Sequence, residues 1–406
     1  MPQTDRAYLS GGLAGKVAMR AATRAILVSA SVLTSMLLGY RIGMAAKPSH
    51  CPKDCKQDIK NCLALVLTNK ACTGAKAEKT ACRKMHVAQR KACRGLVKLC
   101  KRQNPGTDGV CVPSRCGTFL TTWGRRGSGN GQFDNPVGVA VDGSGNVFVA
   151  DSGKVFDADS NNARIQKFDH EGTFLTTWGT SGSGNGQFRR PLGVAVDGSG
   201  NVFVADTDNA RIQKFDSGGT FLTTWGTLGS ANGQFLTPVG VAVDGSGNVF
   251  VTDYDDNRIQ KFDNGGTFLT TWGTSGSGNG QFYSPFGLAV DASGNVFVTD
   301  FDNHRVQKFD NEGAFLTTWG TSGSGNGQFD SPSGLAVDGS GNVFVADATN
   351  DHIQKFDNGG TFLTIWGTFG SGNGQFAAPL GVAVDGSRNV FVAEAGNNRI
   401  QKFACP

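Results

Sequence analysis

Ten cysteines and five histidines are the side chains best suited to hold a metal, form cross-links or act as nucleophiles, and their spacing decides among these chemistries. Eight of the cysteines, Cys51, Cys55, Cys62, Cys72, Cys82, Cys93, Cys100 and Cys111, are crowded into one segment, with only His50 and His86 nearby. No C-x2-C pair occurs among them, which argues against a structural zinc. In an exported chain an even number reads as disulfides. Cys55 with Cys100, Cys62 with Cys93 and Cys72 with Cys82 nest about one centre, the pattern of an antiparallel hairpin. Cys55, Ile59, Cys62 and Val66 fall on one helical stripe, and Cys82, Met85, Gln89, Cys93, Leu96 and Cys100 on another, so the segment is expected to be an α-hairpin stapled across its seam. Cys51 with Cys111 is the remaining pair. His170, His304 and His352 lie further along the chain, each in a different local context. No serine sits in a strand-to-helix elbow, since the recurrent GSGNG strings are followed by no helix. The residues therefore offer neither a metal-ligand set nor an acid/base pair.

The remaining two cysteines, Cys116 and Cys405, bracket an internal repeat. All six tryptophans, Trp123, Trp178, Trp225, Trp272, Trp319 and Trp366, mark it, and from Trp178 onward they stand 47 residues apart. Such a period belongs to solenoids and propellers. Each copy holds four short apolar runs, as in PLGVAVD, NVFVAD, RIQKFD and TFLTTWG, separated by DGSGN, DTDNA and DSGG. The runs are rich in Val, Phe, Ile and Thr, the separators are turn formers, and no helical period is present. Two- to five-residue turns join antiparallel strands. Four antiparallel strands per copy predict an all-β, six-bladed β-propeller, with a β-solenoid as the rival.

The string P-x-G-V-A-V-D-G-S-G-N-V-F-V-A-D followed by N-x-R-I-Q-K-F resembles the NHL repeat over residues 117–406, although His352 replaces the usual Arg. That resemblance implies a six-bladed propeller with one repeat per blade. It also brings an enzymatic alternative, because some six-bladed relatives are lyases with histidine-bound zinc or lactonase-type hydrolases with calcium in the central channel. No cofactor is expected from the residues themselves, so Ca2+ in the channel belongs to that alternative.

The region begins with an outer strand, Thr118 to Trp123, and ends after a third strand, Arg399 to Phe403. The last blade can therefore be completed only if the first strand pairs with the last, which leaves no gap in the ring. In this register Cys405 falls at the position of Ser217 and Cys116 at that of Gly218, adjacent places in a turn. A Cys116–Cys405 disulfide is expected to replace that turn.

Residues 1–46 combine Arg6, Lys16, Arg20 and Arg24 with the apolar run Ala25 to Leu38 and small residues at Gly43, Ala45 and Ala46. This is the layout of a secretory signal peptide, starting at Met1 or Met19, with cleavage near Ala45 or Ala46 favoured over a retained anchor. The expected organisation is a leader (1–46), a cysteine-rich basic α-hairpin (47–115) and a propeller (116–406), in a secreted or periplasmic monomer. Residues 47–116 carry 16 Lys and Arg against 4 acids, whereas residues 117–406 carry 17 against 28. The basic arm suits an anionic envelope surface or the acidic propeller itself; an acidic, exported propeller argues against nucleic acid.

Differences among the copies are concentrated in the loops that lead into each inner strand and in the turns between second and third strands, while the other face barely changes. The pairs after each GQF run Asp134-Asn135, Arg189-Arg190, Leu236-Thr237, Tyr283-Ser284, Asp330-Ser331 and Ala377-Ala378. The first copy also carries an insertion around Ser152 to Asp159. Positions that the scaffold does not dictate are where a ligand could be read. Arg189, Arg190, Tyr254, Tyr283, Phe286 and Phe301 are the candidates, since aromatics and Arg anchor recognition surfaces. A protein, peptide or glycan ligand is expected. The repeated Asp206, Asn209 and Arg211, with their counterparts, are expected to satisfy loop backbone.

Overall fold

The computed structural model describes residues 116–153 and 162–405. The expected leader, the expected α-hairpin with its four pairings, and most of the insertion after Ser152 lie outside the described residues. No helix among the described residues is long and apolar enough to cross a membrane.

Twenty-four strands, beginning with β1 (Thr118–Trp123), follow one another in chain order. Blade 1 is β2 (Pro136–Val141), β3 (Val147–Asp151), β4 (Arg164–Phe168) and β5 (Phe174–Trp178); blade 2 is β6 (Pro191–Val196), β7 (Val202–Asp206), β8 (Arg211–Phe215) and β9 (Phe221–Trp225). Blade 3 is β10 (Pro238–Val243), β11 (Val249–Asp253), β12 (Arg258–Phe262) and β13 (Phe268–Trp272); blade 4 is β14 (Pro285–Val290), β15 (Val296–Asp300), β16 (Arg305–Phe309) and β17 (Phe315–Trp319). Blade 5 is β18 (Pro332–Val337), β19 (Val343–Asp347), β20 (His352–Phe356) and β21 (Phe362–Trp366). Blade 6 takes β22 (Pro379–Val384), β23 (Asn389–Glu394) and β24 (Arg399–Ala404) from the C-terminus and β1 from the other end of the region.

Local chemistry explains the antiparallel turns. Asp142 accepts the backbone N–H of Ser144 and Asn146 at 2.9 and 2.8 Å, so its side chain folds the first turn of blade 1. Gly145 takes the positive φ that this turn needs, +86°. The same turn in blade 6 places Arg388 there, at φ +65°.

Packing is between blades. The second strand of each blade is buried on both faces, as in Val202, Phe203, Val204 and Ala205, all 0% exposed. Apolar clusters lie across the blade seams; Phe203, Ala205 and Ile212 of blade 2 pack with Val249, Val251 and Phe262 of blade 3. Tryptophan completes each seam. Trp178 lies edge-on to Phe148 of its own blade and 5.9 Å from Phe215 of the next.

The inner strands meet even more closely. A Cβ on Gly138 would lie 2.3 Å from the carbonyl oxygen of Leu192, one on Gly193 2.2 Å from that of Val239, and one on Gly381 2.2 Å from that of Val137, which closes the circuit. Glycine is required there because neighbouring backbones approach one another, not because of φ.

Closure follows the register read from the sequence. Thr118 pairs with Ala404 and Trp123 with Ile400, antiparallel. Cys116 and Cys405 are joined by a disulfide. In blades 1 to 4 the third-strand lysine donates to a carbonyl in the next blade's outer turn, as Lys214 does to Asn264 at 3.2 Å. In blade 5 that outer turn is the disulfide itself, and Lys355 Nζ stands 3.3 Å from Cys405 Sγ.

Two outcomes follow from this construction. Replacing both seam cysteines with serine should lower stability by up to about 5 kcal/mol, the chain-entropy value for so long a loop, read as an earlier denaturant midpoint. Gly240→Ala should cost about 1–3 kcal/mol by overpacking against Phe286, with a lowered Tm and unchanged strand content by circular dichroism.

Candidate functional site

One buried carboxylate per blade holds the variable loops in place. Asp206, at the end of β7 and 0% exposed, accepts Arg189 N–H at 2.7 Å, Asn209 Nδ2 at 2.9 Å, Arg211 Nε at 2.7 Å and Gln213 Nε2 at 3.0 Å. Those partners then reach into the loop that leads into the blade. Asn209 donates to the Gly182 carbonyl, Arg211 to those of Gly184 and Gln187, and Gln213 to that of Gln187 while accepting Gly186 N–H. Asp151, Asp253, Asp300, Asp347 and Glu394 occupy the same place in the other blades. Burial pushes the Asp151 carboxyl up to about 6 despite its arginine and N–H donors, and raises Asp206 and Asp300 as well.

Backbone bonds tie this loop to the turn between second and third strands, so both lie on one face. Asp208 N–H donates to Arg189 at 3.1 Å, Tyr254 to Thr237 at 2.9 Å, Asp302 to Tyr283 at 3.2 Å and Thr349 to Asp330 at 3.2 Å. The divergent positions therefore share a surface fixed by the repeated ones.

On that surface the six candidates separate into two groups by exposure. Phe286 and Phe301 are 4% and 7% exposed and stack at 5.8 Å, with the half-buried Tyr254 edge-on to both at 6.3 and 6.4 Å. Together with Val137, Leu192 and Val239 they form an apolar plug across the inner strands. The two phenylalanine rings are core, and Tyr254 packs against them. Apolar side chains at the inner end of the face bury themselves against the opposite blades, a tendency that exposure-by-loop reasoning overlooks. Tyr283, 46% exposed, and the exposed Arg189 are the two candidates that project freely. Arg190 is half-buried and bound to Asp208 at 2.7 Å.

Three exposed carboxylates complete the face. Asp208, Asp255 and Asp302 stand at one repeat position in blades 2, 3 and 4, whereas blades 5, 6 and 1 carry Thr349, Gly396 and Gly153 there. Each is held by the second loop residue: Asp208 by Arg190, Asp255 by the Thr237 hydroxyl, and Asp302 by the Ser284 hydroxyl at 2.8 Å. The Tyr254 phenol, pushed up to about 12 by burial and by the nearby Asp302 and Asp255, stays neutral beside them. The signal was present in the sequence as a second acid after the clamp residue, in DTDN, DYDD and DFDN.

The central channel was the place for a metal. Its lining is Val, Leu, Phe and Gly, including Val139, Leu192, Val241, Leu288, Leu335 and Val382, and it encloses a cavity of ≈ 70 Å³. Small-molecule sites usually offer roughly 300–1,000 Å³. A calcium ion needs six or more oxygens, and the side chains that line this cavity supply none. Among the described residues no group of three His, Cys, Asp or Glu side chains converges elsewhere.

The NHL repeat model matches residues 188–215, 235–262, 282–309, 329–356 and 376–403. The chain belongs to the NHL-repeat propellers. Its matched segments run from the phenylalanine of GQF to that of RIQKF, so the family pattern coincides with the clamp and the strands it joins. No curated protein matches the sequence. Among solved structures, the NHL propeller is similar to a structural-genomics protein of unknown function from Bacteroides thetaiotaomicron, with 19% identity, TM-score 0.54, and 73% of this chain and 78% of that one covered. A streptogramin B lyase superposes at 14% identity and TM-score 0.48, covering 66% of this chain and 93% of that one. A gluconolactonase from Xanthomonas campestris gives 14%, 0.49, 68% and 88%. These likenesses are of fold alone.

Blade 3 gives a test of the clamp. There Asp256 replaces the asparagine of the other five repeats and draws Arg258 Nε to itself at 2.9 Å, leaving Asp253 3.6 Å from that guanidinium. Burial, helped by Asp256, pushes Asp253 up to about 6. Because the folded pKa exceeds the ordinary 3.8, this group's contribution to stability is fully present below about pH 4 and is lost as pH rises through about 6. Asp256→Asn should therefore stabilise the protein by about 1 kcal/mol at pH 7 and by less at pH 4, measured by thermal melts at both.

Proposed function

We propose that this NHL propeller is an exported, non-enzymatic binding protein that engages a protein or peptide partner through its variable face. The observation that carries the reading is the division of labour on that face. The repeated residues form a rigid clamp, while Tyr283, Arg189, Asp208, Asp255 and Asp302, at positions that vary among the blades, are exposed to a partner. Tyr and Arg are the side chains most often found at energetic centres of interfaces. NHL-repeat propellers as a class mediate protein interactions, which supports a polypeptide over a glycan. The alkyl-lined channel weighs against the alternative of a metal-dependent lyase or hydrolase. The leader and the Cys116–Cys405 bond support an oxidising compartment, periplasmic or secreted. The basic segment 47–115 suits an anionic envelope surface.

Cross-linking in the exported fraction, followed by quantitative affinity measurement with the captured protein, tests this reading. Tyr283→Ala and Arg189→Glu should each weaken binding about ten-fold or more, whereas Ser217→Ala on the opposite face should leave it unchanged. Equal binding by all four proteins would remove the variable face as the site.

A further inference from the structure

Blade 5 departs from its neighbours at one side chain of the clamp. In blade 1 the Arg164 guanidinium, beyond its Nε bond to Asp151, donates to the carbonyls of Ser128, Gly129 and Gln132 at 2.6, 2.9 and 2.9 Å. Arg305 does the same in blade 4 with Ser277, Gly278 and Gln281 at 2.8, 2.7 and 2.8 Å, and Arg399 in blade 6 with Ser371, Gly372 and Gln375 at 2.7, 2.9 and 2.9 Å. Blades 2 and 3 keep the last two of these contacts through Arg211 and Arg258. The loop is thus built around a planar cation.

The corresponding residues of blade 5 are Ser324, Gly325, Gln328 and His352. His352 reproduces only the inner contact: its Nε2 lies 2.9 Å from Asp347 Oδ2. Gln354 still donates to the Gln328 carbonyl at 2.5 Å, but no described side chain donates to the carbonyls of Ser324 or Gly325. The loop nevertheless keeps its shape. Gln328 N–H bonds to Gly325 at 3.0 Å, Gly327 N–H to Gln354 at 2.8 Å, and Asn350 to Gly323 at 2.8 Å, as in the sister blades. Ser324 and Gly325 are exposed on the variable face, as Ser277 and Gly278 are in blade 4.

Charge favours the same occupant. The other five blades set a permanent cation against the clamp carboxylate, whereas Asp347 has only an imidazole. Asp351 adds a second carboxyl next to His352, its Oδ1 accepting Ala378 N–H at 2.9 Å.

We propose that the blade 5 loop is a docking cradle for one guanidinium, supplied by an arginine side chain of a partner polypeptide, which donates to the Ser324, Gly325 and Gln328 carbonyls as the protein's own arginines do elsewhere. The biological source rests on the reading of this face as a partner-binding surface; the cradle's chemistry does not. A planar fork spans three carbonyls, and a lysine ammonium, a point donor, does not.

Titration of the 15N-labelled full chain with N-acetyl-arginine amide, with N-acetyl-lysine amide as comparison, tests the assignment. Saturable amide shifts are expected at Gly325–Gln328 and Ala346–Gln354 with arginine, and binding roughly ten-fold weaker with lysine. His352→Arg, which gives blade 5 the side chain of the other five, should abolish the shifts while raising Tm. Absence of saturable shifts in the wild type, an equal response to lysine, or an undiminished response in His352→Arg would overturn the proposal. Binding of arginine amide with no protein partner at the Tyr283 surface would keep the cradle and defeat the wider reading; the converse would keep that reading and remove the cradle.

Discussion

A carboxylate buried at the end of each second strand is the interaction on which the functional face depends. Without Asp206, the Arg189 N–H, the Asn209 amide, the Arg211 guanidinium and the Gln213 amide would lose a common acceptor inside the protein. Leaving such groups unpaired costs about 1–3 kcal/mol each. The same residues carry the long glycine-rich loop, which has little apolar surface of its own with which to pack. One ionised or protonated group therefore converts a flexible sequence into a fixed rim, and it does so in every blade.

The fold was legible because its determinants are periodic. Tryptophan spacing, four apolar runs and short turns gave the blades, and the phase of the first and last strands placed β1 beside β24 and Cys116 beside Cys405. The clamp was legible for the same reason, since Asp206, Asn209 and Arg211 recur. The inner end of the variable face was harder to read. Whether Phe286 faces solvent or the channel depends on how closely six inner strands approach, and that distance is set by Gly240, Gly287 and their equivalents acting across blades. No window of one repeat contains that information.

Where copies differ, the scaffold shows what each difference does. Asp256 for asparagine redirects an arginine and leaves a neighbouring carboxylate underpaired. His352 for arginine shortens a reach by the width of a guanidinium. Asp208, Asp255 and Asp302 place a carboxylate in blades 2, 3 and 4 at a rim position where blades 5, 6 and 1 have none. A nearly uniform scaffold thus acquires direction through single residues.

Uniformity also creates an ambiguity during assembly. The outer strands of all six blades are almost the same segment, FLTTW or FLTIW, so β1 would fit beside the third strand of any blade whose own outer strand had strayed. Hydrogen bonds and apolar contacts can barely distinguish these choices. Only the blade at the C-terminus offers a thiol at the matching place, and the thiol on the incoming strand recognises it. The sulfur pair therefore works as an address label among interchangeable parts, recording covalently which end belongs to which.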